Sequence, residues 1–476
     1  MTELVTTSPT VSIPTNGEQP KTQRVVITTQ RKTQTAVSPD LKFTDDDVRA
    51  LSKLKKDPAW LAKRRLAAWQ HYHRTPMPAL DDEAWRRTDL RSFKWGAVEL
   101  SALDAKARHR AVPAALLKPL VGKAHGGQIV INSGKVEARK LATALARKGV
   151  VFADFQTAAL KHEKLLKKFM GQAVPAADGK FAALAESLMD GGIFLYVPKN
   201  VEVILPLHGI INVPGNSHFS RLLVVLEDGA SVTYVHELTS PENARHETLH
   251  ASIVELIVGK NANLKFVELQ SLGLNVWNFT HERARVGADG KLDWVFNAVG
   301  SHVTKNFSTL ELDGEGAWAR MSGFYFAEKD QHLDHDTQQN HNVPHTTSDL
   351  LFKGALRDKS RSVWQGMIYV APGAQKTDGY QANRNLVLSK TARADSIPGL
   401  EILADDVRCT HGATVGQLEQ EHIFYLMSRG MPRPEAEKLV VDGFFDPIMQ
   451  RIPFPGVIDR LKKDILRKMS ESGGGI

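Results

Sequence analysis

At Gly191 the hydrophobic period of the chain becomes two, and it stays so for more than two hundred residues. Ile193, Leu195 and Val197 alternate with Phe194, Tyr196 and Pro198. Further on, Leu292, Trp294, Phe296 and Ala298 share one face, while Asp293, Val295 and Asn297 share the other. Successive side chains of a strand point to opposite faces, so this stretch predicts strands with scarcely a helical window. Short turn signals punctuate it: E-D-G-A-S-V from Glu227, G-K-N-A-N-L from Gly259, G-A-D-G-K-L from Gly287 and D-G-E-G-A-W from Asp313. Their starts lie 32, 28 and 26 residues apart. Such irregular spacing suits a β-solenoid with loops of variable length, whereas propeller blades need about 40 to 50 residues. A sandwich of roughly eight or more strands joined by short turns is the alternative architecture.

Helical patterns flank the strands. Asp45 to Asp47 open a helix after Thr44, where acidic side chains suit the positive end of the helix dipole. Trp60, Leu61, Leu66, Ala67 and Trp69 form the apolar set of a second helix, which Asp57 is placed to cap and Pro58 to open. Pro76 and Pro78 break it, and the pattern restarts near Asp81. Gly126 to Val136 predicts a hairpin turning at Asn132 to Gly134, and helices resume from Lys140 to about Met189. Beyond Gly416, Ile423, Phe424, Leu426 and Met427 have helical spacing. Gly430 stops that helix, and Pro432 and Pro434 open another with the stripe Ala436, Leu439, Val440 and Phe444, continued by Phe445 and Ile448. The expected organisation is therefore a disordered tail over 1–40, a mainly helical domain over 41–190, the strand region over 191–416 and a small helical domain over 417–476. So small a domain has little core of its own, and its stripe either serves a partner or docks on the strands.

Composition narrows the function classes. The net charge is +8, but residues 1 to 75 hold 13 Lys or Arg against 7 Asp or Glu, so the remainder is nearly neutral and does not describe a nucleic-acid groove. No apolar run approaches the roughly 20 residues of a membrane span, and no apolar segment opens the chain, so a cytoplasmic location is expected. The hydroxyl-rich tail suggests a transit peptide, which Glu3, Glu18 and sparse arginine oppose. There is a single cysteine in 476 residues. It excludes an internal disulfide and cannot supply the four thiolates of a typical iron–sulfur site, leaving only shared or mixed ligation.

Three motifs could carry chemistry. His246-Glu247-Thr248-Leu249-His250 has the H-E-x-x-H pattern of zinc proteases, but it runs into a strand pattern. Four strand residues span about 13 Å, too far for both imidazoles to reach one zinc. His332, His335, His341 and His345 crowd a polar stretch with Asp334 and Asp336; these residue types suit a metal, although their spacing fits no specific site. A metal-dependent solenoid enzyme would draw on them. There is no phosphate loop and no G-x-S-x-G elbow. Cys409 and His411 stand two apart, hence on one face of a strand with Cα atoms roughly 6.6 Å apart. A thiolate and an imidazole so placed could hold one metal or adjacent atoms of a cluster. Spacing alone favours an inert pair instead, a buried thiol beside a hydrogen-bonded core histidine in a purely structural adaptor.

The stretch L-E-I-L-A-D-D-V-R-C-T-H-G-A-T-V-G-Q-L from Leu400, followed by I-F-Y-L-M-S-R-G-M, closely resembles the SufD side of the SufB/SufD family of the SUF iron–sulfur cluster assembly machinery. A-Q-K-T-D-G-Y-Q-A-N-R-N-L-V-L-S from Ala374 to Ser389 and W-R-R-T-D-L from Trp85 to Leu90 extend the resemblance over nearly everything after the tail. It departs from related chains at Ile397-Pro398-Gly399, where they often read Lys-Pro. SufB chains typically have His-Glu where His411-Gly412 stands, and several cysteines besides. The resemblance implies a right-handed parallel β-helix core flanked by N-terminal and C-terminal α-helical domains. It also implies a non-enzymatic assembly subunit that joins a SufB-like paralogue and a SufC-like ABC ATPase, the latter through the C-terminal domain. His411 would then lie at the contact with the paralogue as a ligand of a nascent cluster, with Cys409 in a less defined role and no cofactor held stably by the chain alone. Met431, Phe444 and Phe445 are the candidate interface residues, and the isolated chain is expected to be able to pair as a homodimer.

Overall fold

The computed structural model describes residues 41–470 apart from 101, 104–111, 214, 216 and 242–245. The expected tail over 1–40 and the Gly-rich end after Ser470 lie outside the described residues.

From Gly191–Val197 to Arg408–Gln417, successive strands alternate between two sheets, and each pairs in parallel with the strand two places on. Two strands make one coil, and about eight coils make a β-solenoid. The coil length matches the spacing of the turn signals to within one residue: Ser231 stands beside Asn263, Asn263 beside Lys291 and Lys291 beside Trp318. A sandwich of antiparallel neighbours is thereby excluded. The turns themselves stack. Gly229, Asn261, Asp289 and Gly316 all have positive φ, and each of the first three donates its amide to a carbonyl in the next turn: Lys260, Ala288 and Glu315. Glycine and Asn or Asp tolerate that left-handed conformation best, which is why these residue types recur in the turns.

Inward-facing side chains fill the space between the sheets. Leu264, Phe266, Leu292, Trp294, Leu310 and Leu350 are among its fully buried apolar members. Polar groups are interspersed, including Asn278, Glu282, Asn306, His335 and Gln381.

The first coil is covered. The hairpin Gly127–Asn132 and Lys135–Leu141 pairs in parallel with Glu202–Asn212, and Val151–Asp154 lies antiparallel to Gly191–Val197. Of the helices expected from Lys140 to about Met189, Thr143–Arg147, Phe155–Lys161, Glu163–Phe169 and Lys180–Ser187 form, but the hairpin runs to Leu141 and the short run V-F-A-D is recruited as a strand by the open sheet edge. Helix Asp45–Leu54 begins with the Thr44 and Asp47 capping box. The helix Ala59–Arg74 has no side-chain cap, because Asp57 is engaged with buried Arg65 at 2.6 Å instead. Turns, not a helix, follow Asp81. They let Trp85 pack among Phe181, Phe279 and Phe307, and let Thr88 bond both His332 and Asp334 on the solenoid wall. Helix Lys180–Ser187 is buried along its whole length between helix Ala59–Arg74 and the strands.

At the other end, helices Arg433–Met449 and Pro455–Ser470 dock on the outside of one sheet. Val441, Phe445, Ile448, Leu461 and Ile465 pack against Val235, Val267, Val295, Phe324 and Phe326. No described helix is long and apolar enough to cross a membrane.

Candidate functional site at the open end of the solenoid

The last coil consists of Arg393–Ile402 and Arg408–Gln417, and each strand has a partner on one side only. Pro398, which has no amide hydrogen, sits in one of these edge strands, where a missing ladder donor is tolerated. No described element covers either edge. Leu400, Ile402, Leu403 and Val415 are consequently exposed, Val415 to 51%.

Cys409 and His411 are both on Arg408–Gln417, beside Gly379 and Gln381 of the preceding coil. The thiol turns into the solenoid and packs with Ile368, Val370 and Ala374. A Cβ on Gly379 would lie 3.2 Å from Cys409 Sγ and 3.4 Å from His341 Nε2, so both groups border the space that this glycine leaves free. Burial pushes the Cys409 thiol above its usual range, and the nearby Asp378 carboxylate acts in the same direction. His411 has the same strand parity but lies one step nearer the strand's middle and is exposed. It makes no side-chain hydrogen bond or ion pair with the described residues. The inert pair with a core histidine is therefore not what forms: the thiol is half-buried and the imidazole is free.

Two residues that motif reading missed underlie the pair. Gln381 is buried beneath His411; its amide donates to the Gly399 carbonyl at 2.8 Å, while its Oε1 is buried without a partner. His341 is buried below Cys409 with both ring nitrogens engaged, by Thr346 Oγ1 at 2.7 Å and Ser348 Oγ at 2.8 Å. Polar residues recurring at inward-facing positions, as in Gln381, Asn383 and Asn385, are the signal that could have found this floor.

The other histidine motifs disperse. His246 is exposed before the strand Thr248–Val258, whereas His250 is buried in it, bonded to Asn278 Oδ1 at 2.7 Å and Ser220 at 3.1 Å. His332 faces outward to Thr88, His335 and His341 face inward, and His345 is exposed in a turn. Among the described residues no three of His, Cys, Asp and Glu are placed together as a metal site.

Of the expected interface residues, Phe445 is 0% exposed and is consumed by the chain's own docking against Phe324. Within the chain that side chain fills an internal contact and offers no free surface. Phe444 and Met431 are half-buried. The exposed apolar surface is instead on helix Gln420–Ser428, where Phe424 is 72% exposed beside Tyr425 and Met427, with Leu439 nearby in sequence on the following helix.

Comparison with known proteins agrees with this architecture. Residues 210–444 match the family described as "SUF system FeS cluster assembly, SufBD core domain", and residues 49–208 match the "SufBD protein N-terminal region". An iron–sulfur cluster assembly SufBD family protein of Staphylococcus haemolyticus is 30% identical over 435 residues, covering 88% of this chain and 91% of that protein. Proteins of the same description from Staphylococcus saprophyticus and Staphylococcus epidermidis match with the same identity and coverage. Fold and matches together define an iron–sulfur cluster assembly protein of the β-solenoid type. The chain belongs to the SufBD family.

Proposed function

We propose that this chain is the SufD-type member of a SUF assembly complex, a non-catalytic scaffold that lends an interface ligand to a nascent iron–sulfur cluster. The observation that carries the reading is the free His411 on the last, one-sided coil, with the chain's single thiol two residues away. One cysteine cannot complete a cluster, so the remaining ligands would come from a SufB-like paralogue seated against the open strands. His411 is the principal ligand, because its imidazole is accessible; Cys409 needs both exposure and deprotonation to join it. A SufC-like ABC ATPase would bind the C-terminal helices at Phe424, Tyr425 and Met427, with Met431 and Phe444 at the margin. Its ATP-driven movement would open the shared end. The cluster is cargo here, and a mixed His and Cys ligand set would release it more readily than four thiolates.

The test is His411→Ala in the reconstituted three-component complex, with cluster formation followed by visible absorbance. At least a tenfold loss is expected with complex assembly unchanged. Undiminished formation would remove His411 from the ligand set.

A further inference from the structure

Midway along the solenoid, Glu268 on one sheet and Glu282 on the other reach into the same interior space, and both are buried. Glu282 Oε2 accepts from Ser308 Oγ at 2.8 Å and Asn306 Nδ2 at 3.2 Å, and Glu268 Oε2 accepts from Trp294 Nε1 at 3.1 Å. Among the described residues neither carboxylate has a lysine, arginine or histidine ion partner. His236, which also borders the space, is driven by burial to about 3 and stays neutral. A cavity of about 20 Å³ lies between these groups. That is room for one water or one ion. Asn306 lines the same cavity at 2% exposure, and its Oδ1 has no partner.

We propose that this cavity binds a hard divalent cation through the carboxylates of Glu268 and Glu282 and the amide oxygen of Asn306. A proton shared by the carboxyls would serve one acceptor at a time and leave Asn306 Oδ1 unmatched. A cation satisfies all three oxygens together and cancels the two charges that burial makes costly. The donors are oxygens, which suits Mg²⁺, Mn²⁺ or Ca²⁺ better than thiolate-seeking or imidazole-seeking ions. The hydroxyls of Ser252 and Thr280 and a water can fill the remaining positions. Four strand steps of about 4.8 Å put Glu282 some 19 Å from the last coil, so the site is independent of His411 and of the cluster reading.

Mn²⁺ titrated into the full chain at pH 8, and read by electron paramagnetic resonance of the free ion, tests this. One Mn²⁺ per chain is expected. Affinity should fall at least tenfold in Glu282→Gln and in Glu268→Gln. Mn²⁺ should also raise the melting temperature of the native chain and not of the variants. Should a glutamine variant fail to fold, Asn306→Leu reads the same site. No stoichiometric Mn²⁺, or equal binding by the variants, would overturn the proposal. So would a Glu282→Gln chain that melts higher than native while Mn²⁺ shifts neither.

Discussion

Cys409 and His411 differ by two positions and by their surroundings. The thiol lies under hydrophobic cover beside Asp378, and both influences disfavour its thiolate. Alkylation of Cys409 by iodoacetamide in the isolated chain should therefore run at least threefold slower at pH 8 than in an unfolded cysteine peptide. Its rate should keep rising beyond pH 9; equal rates at pH 8 would contradict the buried orientation. Sequence spacing was enough to put both residues on one face of one strand. It could not say that one would be half-covered and the other free, because cover comes from Ile368 and Val370 on another strand.

Among the elements, both helical regions dock on the solenoid through apolar clusters, and each adds buried ion pairs. At the N-terminal one, Arg221, fully buried on a solenoid strand, donates to Glu255 at 2.6 Å and to Glu186 at 2.9 Å, and Arg64 also reaches Glu186. Arg221→Ala would leave buried Glu255 without its cation, a cost of about 3–5 kcal/mol. Urea denaturation should show a loss of that order, and a change under about 1 kcal/mol would mean the carboxylates find water. The C-terminal helices are held by apolar contact around Phe445. Phe445→Ala should cost about 3–5 kcal/mol of docking and expose helices Arg433–Met449 and Pro455–Ser470 to trypsin, while Phe424→Ala should change stability by less than about 0.5 kcal/mol. Equal proteolysis of the two variants would contradict the docking. The stripe was legible in the sequence. Its consumption by the solenoid wall was not, since Phe444 and Phe445 are adjacent and only docking tells them apart.

For the whole molecule, five buried imidazoles set the response to acid. Burial lowers His236 and His335 to about 3, and His250, His332 and His341 to about 4. The folded chain thus binds fewer protons there than the unfolded chain, so their contribution is complete above about pH 6.5 and is lost as pH falls toward 4. Glu268, Glu282, Asp336 and Asp442 act oppositely: burial raises all four, Glu282 to about 7 and Asp336 to about 6, so the folded state holds more protons and they destabilise as pH rises through the carboxylate range. The five imidazoles outweigh these four carboxyls, and the melting temperature should fall between pH 6.5 and 4.5. A flat or rising profile in thermal scans would show that these histidines are protonated in place.

Local repetition made the coil legible from the chain alone. Period two, punctuated by Gly, Asn and Asp turns, specifies strands of known facing, and the spacing of the turns is the length of a coil. The recruitment of Val151–Asp154 to a sheet, the turns after Asp81 and the role of Asp57 depend on partners far along the sequence, and local propensity yields to such contacts. Tertiary structure alone decided which end of the solenoid is covered and which is open. A strand's hydrogen-bonding edge is satisfied only by whatever chain arrives beside it: the hairpin and Val151–Asp154 arrive at the first coil, and no described segment arrives at the last, where Cys409 and His411 stand.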